Sequence, residues 1–340
     1  MILVTGGTGL IGSRIILDLI REGHKVRALK RPNSDTAFIK QVFAHYLEDP
    51  GSSYDKIEWV NGDILDVLSL DDSMDQVDYV YHSAALVSFE PGARKKLREL
   101  NEKGAANVVN ACLNHSVKKL CYISSIAALG RPEDGEDYID ETLKWKASKY
   151  NTNYAISKYA GEREVWRGIA EELNAIIVNP SIVLGISNPS NGSSRIFRSV
   201  WTGLKFYPPG INGFVDVEDV SRASIELMKS NITNERFILN GINITYRELF
   251  TRIADELDKK PPSTETSIWM LEAAWMFEAV KSMITGKKPL LTKETARTSG
   301  NRFRYSNSKI KEAIGYEFKD FDNTIAELGN YYSDLKKNKK

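Results

Sequence analysis

Apolar residues in the first 180 positions fall into short β-branched runs separated by amphipathic stretches. The runs at 2–5, 25–29, 57–60, 77–81, 119–124 and 175–179 have the length and composition of buried strands. Between them, apolar positions recur at helical spacing over 10–22, 36–46, 67–74, 93–114 and 154–172. Alternation of this kind predicts an α/β fold of the Rossmann type, a doubly wound parallel sheet with helices on both faces. In such a sheet the ligand crevice lies outside the carboxyl ends of the strands.

Beyond Pro180 the pattern loosens. The stretches 187–194 (SNPSNGSS) and 208–210 (PPG) read as loops, while 214–217 and 236–239 read as strands. A helix opened by Glu218 and Asp219 follows the first of these, and the last hundred residues are mostly helical. The predicted plan is a nucleotide-binding domain over 1–180, completed by 214–240. Residues 181–213 and 241–340 then form a smaller, mostly helical substrate-binding lobe. Residues 267–285 are strongly apolar but interrupted by Glu272, Glu278 and Lys281. A membrane span is apolar all round, so none is expected here. Trp269, Ala273, Met276, Phe277, Val280 and Ile284 share one helical face. Packing of that face against the core or lobe is the preferred expectation, ahead of a substrate lid or a membrane-surface helix.

Composition changes this picture little. Of 340 residues, 42% are hydrophobic and 27% charged, which suits an ordinary globular core. Lysine and arginine total 46 against 45 acids, so charge gives no reason to expect a nucleic-acid partner. Cys112 and Cys121 lie in apolar segments, and no Cys/His cluster has metal-ligand spacing. Buried free thiols in a reducing compartment, and no metal, are expected. The first strand begins beside Met1, without room for a leader, so the expected location is cytoplasmic.

The first strand runs straight into Gly6-Gly7-Thr8-Gly9-Leu10-Ile11-Gly12 and then into a helical pattern. Gly6 permits a tight turn, Gly9 admits a pyrophosphate, and Gly12 lets helix and strand pack closely. The exposed N–H groups and helix dipole receive the phosphates. An ordinary β–α turn can also be glycine-rich, but here strand and helix flank the pattern correctly. Dinucleotide binding by Gly6, Thr8, Gly9, Leu10, Ile11 and Gly12 follows.

At the end of the second strand, an acid accepts the ribose hydroxyls of NAD, whereas cations accommodate the 2′-phosphate of NADP. The chain has no acid there and reads Leu29-Lys30-Arg31-Pro32. Lys30 and the forked donor Arg31 favour NADP over NAD. Solvated surface cations are the competing explanation.

Hydride transfer to a carbonyl needs an acid for the developing alkoxide. Tyr154 and Lys158 are four residues apart, on one face of the predicted helix between the fifth and sixth strands. An adjacent ammonium favours the phenolate and lowers the phenol's pKa. Tyr305/Lys309 and Tyr332/Lys336 share the spacing, so position in the fold, not spacing, singles out Tyr154.

The TGGTGLIG spelling, the length and the later motifs resemble the extended short-chain dehydrogenase/reductase superfamily, also described as the NAD-dependent epimerase/dehydratase family. Gly62-Asp63-Ile64, His82-Ser83-Ala84-Ala85, Asn101…Gly104, Asn179-Pro180-Ser181 and Phe214…Val220 fall in the family's order. The resemblance implies that Asp63 and the Ile64 amide hold adenine and that Ser83, Ala84 and Ala85 wall the cofactor. It also implies that Pro180, Ser181 and Val183 line the cofactor site. Ser125 becomes the catalytic serine, Ser124 its neighbour, and Asn101 the orienter of a relay water. Taken alone, Asp63 is equally a turn residue, Asn101 a helix residue and Ser124 a strand-end cap.

Dehydratases of this group carry an Asp-Glu pair where this chain has Ile126-Ala127, which argues against water elimination. The stretches 140–142, 179–185, 288–291, 305–309 and 315–316 look closer to dihydroflavonol-reductase-like and hydroxysteroid-dehydrogenase-like members. A reductase acting on a fairly apolar small-molecule carbonyl is therefore the first expectation. A nucleotide-sugar epimerase, with Arg195, Arg198, Arg297, Arg302 and Arg304 as candidate anion ligands, is the second, and a non-catalytic NADP sensor the third. Homodimerisation through 93–114 and 154–172 is the default the resemblance implies.

Overall fold

Seven parallel strands make the central sheet of the computed structural model, which describes residues 1–90, 92–132, 138–148, 151–187, 194–285 and 292–337. They are β1 (Ile2–Thr5), β2 (Val26–Lys30), β3 (Ile57–Asn61), β4 (Tyr79–His82), β5 (Lys119–Ile123), β6 (Ala175–Pro180) and, after two strands of another sheet, β9 (Glu235–Leu239). Their spatial order is β9-β6-β5-β4-β1-β2-β3. The order reverses at β1, which fixes the crevice at the carboxyl ends of β1 and β4.

Side chains alternate between two cores, as the pleat requires. Ile2, Val4, Cys121, Ile123, Ile176 and Val178 face one; Leu3, Leu120, Tyr122 and Ile177 face the other. Helices α1 (Leu10–Arg21) and α4 (Val217–Lys229) cover the first core. Helices α2 (Gly104–Asn114) and α3 (Asn153–Ala170) cover the second. Cys112 and Cys121 are free and buried, one in each core.

The expected helix at 93–114 is broken. A short helix Arg94–Arg98 passes into a π turn, Glu99–Lys103, before α2. Within the 214–240 segment, α4 and β9 join the central layers. The strand there, β8 (Ile211–Asp216), instead forms a three-stranded sheet with β7 (Ile182–Leu184) and β10 (Ile242–Thr245). Residues 188–193 and 288–291, both used above, lie outside the described residues.

The packing expected for the apolar helix is overturned. Helix α5 (Ile268–Thr285) leaves Trp269 71%, Met276 49%, Phe277 69% and Val280 56% exposed, and Ala273 is exposed too. Its covered side carries Leu271 and Trp275, with α6 (Lys293–Thr298) against it. Apolar residues occur nearly all round this helix, so periodicity selects no single inward face. The Ile284 side chain lies outside the described residues. No helix among the described residues is long and apolar enough to cross a membrane.

One buried cation ties sheet to helix. Lys119, 5% exposed at the start of β5, donates to the carbonyls of Leu227 (2.7 Å), Met228 (3.4 Å) and Ser230 (2.9 Å). These carbonyls lie at the C-terminal end of α4, where a cation is favoured. Lys119→Met should cost about 1–3 kcal/mol, since it leaves the Met228 and Ser230 carbonyls without that donor while Leu227 keeps only the Ser230 hydroxyl. Urea unfolding checks this; an unchanged midpoint contradicts it.

Candidate active site

At the turn after β1, Gly6 has φ +72°, and a Cβ there would stand 2.5 Å from the Ala84 amide nitrogen. A Cβ on Gly12 would meet the Gly6 carbonyl oxygen at 2.3 Å. Gly9 is the N-cap of α1, so no side chain caps its first N–H groups, and no acid occupies the first turn. Thr8, Leu10 and Ile11 are half-buried around it. An uncapped positive helix end in a side-chain-free cradle fits a pyrophosphate. Ser83 Oγ donates to the Thr5 carbonyl (3.0 Å) and the Ala84 amide to Thr5 Oγ1 (3.4 Å), locking β4's end against the turn. Ala84 is half-buried and Ala85 exposed.

The adenosine side is plainer. Asp63 Oδ1 accepts from the Leu65 amide (3.0 Å), so this carboxylate does shape the turn. Ile64 is buried beside it. Lys30 Nζ donates to Asn61 Oδ1 (2.8 Å). The exposed Arg31 guanidinium has no partner among the described residues.

Two strands away, Ser125 follows β5 and Tyr154 lies in the first turn of α3, whose N-cap Thr152 accepts from the Ala155 amide (3.0 Å). The Ser125 hydroxyl lies close enough to the Tyr154 phenol to act on it. Burial raises the phenol above its ordinary pKa of 10.0, and the Ser125 hydroxyl draws it partly back. The Phe89 ring meets Tyr154 edge-on at 5.6 Å, giving the site an apolar wall.

Lys158 is 2% exposed. Its ammonium donates to the Ile123 carbonyl (2.9 Å) and the Tyr122 hydroxyl (3.3 Å), not to Tyr154. The direct lowering of the Tyr154 phenol expected from Lys158 is therefore absent, and burial prevails. Burial also lowers Lys158 to about 8, against an upward push from Glu162.

The two serines exchange the supporting roles expected of them. Ser125 Oγ caps, accepting from the Ala127 amide (3.1 Å), while Ser124 Oγ donates to Glu162 Oε2 (2.7 Å). Asn101 is 2% exposed in the π turn. Its Oδ1 accepts from the Leu86 amide (2.7 Å), and its Nδ2 donates to the Leu86 carbonyl (2.9 Å) and Ser157 Oγ (2.9 Å). That side chain pins the segment after β4 to α3. Pro180 closes β6, and Val183 pairs with Val215 in the neighbouring sheet. Ser181 is buried, with a hydroxyl lacking a partner among the described residues.

The decoy tyrosines are structural. Tyr305 packs with Ile126, Leu129, Ile139 and Ile238, and Tyr332 stacks on Phe197 at 5.3 Å. Sequence reasoning missed Tyr122, Glu162 and Arg236, all of which reach the site from behind. Glu162 is followed by Arg163 and Glu164, so no local signal sets it apart from a solvated stretch of helix.

The chain is similar to known proteins along most of its length. The model of the NAD dependent epimerase/dehydratase family matches residues 2–239. A Synechocystis sp. protein, provisionally named a dihydroflavonol 4-reductase, is 26% identical over 97% of this chain and 93% of its own. Tetraketide alpha-pyrone reductase 2 of Arabidopsis thaliana is 29% identical over 76% of this chain and 83% of its own. The solved structure of gox2253 superposes with a TM-score of 0.79, at 28% identity over 98% of both chains.

His82 supplies a test of the β4 end. It is 2% exposed, its Nδ1 lies 2.6 Å from Thr5 Oγ1, and burial, followed by Lys158, lowers its pKa from 6.5 to about 3. The folded state resists protonation, so this stability is complete above pH 6.5 and is lost as pH falls toward 3. Between pH 6.5 and 5, wild-type protein should lose about 2 kcal/mol more than His82→Asn. Denaturation at the two pH values reads it; parallel losses in both proteins contradict it.

Proposed function

The chain belongs to the NAD dependent epimerase/dehydratase family, and from that membership we propose that it is an NADP-dependent reductase of a fairly apolar aldehyde or ketone. The observation that carries this is the placement of Ser125 just after β5 and Tyr154 in the first turn of α3, together at the same edge of the sheet as the glycine turn. Two hydroxyls so placed can both donate to one carbonyl oxygen. Phe89 favours an apolar substrate. So does α5, which adjoins the site through α6: Lys293 lies over Trp275 at 5.5 Å, and Glu294 accepts from Asn153, the residue before Tyr154.

In this reading Gly6, Thr8, Gly9, Leu10, Ile11 and Gly12 hold the pyrophosphate, and Asp63, Ile64, Ser83, Ala84 and Ala85 border the adenosine and ribose. Pro180, Ser181 and Val183 line the nicotinamide end. NADPH supplies the hydride. Ser125 and Tyr154 hold the carbonyl oxygen, and Tyr154 donates its proton to the alkoxide as charge develops there. The raised phenol keeps that proton in place until it is needed. Lys158 holds the nicotinamide ribose. Asn101 fixes the wall between β4 and α3.

Tyr154→Phe should bind NADPH within about twofold of wild type while kcat on a ketone falls about 100-fold or more. Full turnover in that variant overturns the assignment, and epimerisation of UDP-sugars without net NADPH loss moves the protein to the epimerase reading. Arg31, exposed and without a partner among the described residues, supports NADP over NAD. Arg31→Asp should weaken NADPH roughly 10- to 100-fold and leave NADH unchanged or tighter. Unaltered NADPH affinity, read by fluorescence titration, removes that preference.

A further inference from the structure

Glu162 lies on α3 one turn beyond Lys158 and is 2% exposed. Burying a carboxylate is costly unless both oxygens find partners. Here Oε2 accepts from Ser124 Oγ (2.7 Å) and Asn179 Nδ2 (2.9 Å), while Oε1 meets the Arg236 guanidinium (3.2 Å) and Trp166 Nε1 (3.4 Å). Asn179 Nδ2 also donates to the Ser125 carbonyl (3.0 Å). Arg236 is anchored independently, donating to the carbonyls of Glu141 (2.6 and 3.1 Å) and Leu143 (2.9 Å). One Glu162 oxygen thus suffices for the ion pair, and the other serves only groups that flank Ser125.

Resting on the hydride-transfer reading above, we infer that Glu162 is a positioning residue of this site. Through Ser124 and Asn179 it fixes the strand end that bears Ser125, and its carboxylate is the countercharge of the Lys158 ammonium. The titratable groups facing Lys158 are Tyr122 from β5, His82 from β4 and, one turn on along its own helix, Glu162. Those facing Glu162 are Lys158, Tyr122 and, from β9, Arg236. Glu162 is the one carboxylate in this set. Removing its charge leaves burial to act on Lys158 unopposed, so the ammonium loses its proton at lower pH.

NADPH affinity followed from pH 6 to 9 reads the Lys158 charge without turnover, because Lys158 faces the nicotinamide ribose in this reading. Relative to wild type, Glu162→Gln should bind equally at pH 6 and about fivefold more weakly at pH 8, for a shift of about one pH unit. Arg236→Met removes a competing cation from Glu162 and should move the fall-off to higher pH. Ser124→Ala keeps the charge but loosens the strand end, so kcat should fall with the pH dependence unmoved. A Glu162→Gln curve that superposes on wild type overturns the inference, as does Arg236→Met shifting in the same direction as Glu162→Gln. If Glu162→Gln does not fold, the Arg236→Met and Ser124→Ala outcomes decide. Binding with the expected shifts but no carbonyl turnover overturns the reductase reading alone; failure to bind either nicotinamide cofactor overturns both.

Discussion

An ammonium taken out of water destabilises a fold by several kcal/mol unless other charges and dipoles replace its hydration. Lys158 meets that requirement at 2% exposure with the Ile123 carbonyl, the Tyr122 hydroxyl and ring, and the charge of Glu162. Each of these compensating groups comes from β5 or α3, the two elements that carry Ser125 and Tyr154. Satisfying the lysine therefore also fixes the distance between the serine and the tyrosine. The same requirement extends outward: Glu162 needs Arg236, and Arg236 needs the carbonyls of Glu141 and Leu143. A chain of obligatory partners runs from the site to the edge strand of the sheet.

The C-terminal region meets the other end of α3. Glu294 accepts from the Asn153 amide (3.3 Å) and side chain (2.6 Å), which places a carboxylate at the positive end of the helix bearing Tyr154. Behind Glu294 stands α5 with its exposed Trp269 and Phe277. Tyr154 is thus held from below by the central sheet and its helices and from the side by the C-terminal region. That arrangement couples α5 and α6 to the start of α3 through two hydrogen bonds.

Much of this was legible in the sequence because its signals are local. The six β-branched runs of the first half became strands with ends within two residues, and the glycine turn sits where strand and helix required it. Tyr154 was separable from Tyr305 and Tyr332 only by its place between the fifth and sixth strands. What escaped was set by contacts distant in sequence. The π turn at Glu99–Lys103 shifts the register between the two helices by about one residue, too small a change for periodicity across 93–114 to reveal. Lys158's choice of Tyr122 over Tyr154 depends on a strand 36 residues earlier. The outward face of α5 could not be read because apolar residues nearly surround it. Strands as short as Ile182–Leu184 carry too few residues to show alternation.

The central claim is net hydride transfer to an external carbonyl at the Ser125–Tyr154 pair. Incubating the protein with NADPH deuterated at nicotinamide C4 and a panel of apolar ketones and aldehydes, then reading deuterium in the alcohol by mass spectrometry, tests it directly. With both C4 hydrogens replaced by deuterium, one deuterium per alcohol formed is expected, matched by an equal loss of NADPH. Absence of label in every product, together with UDP-sugar epimers interconverting at constant cofactor, would contradict it.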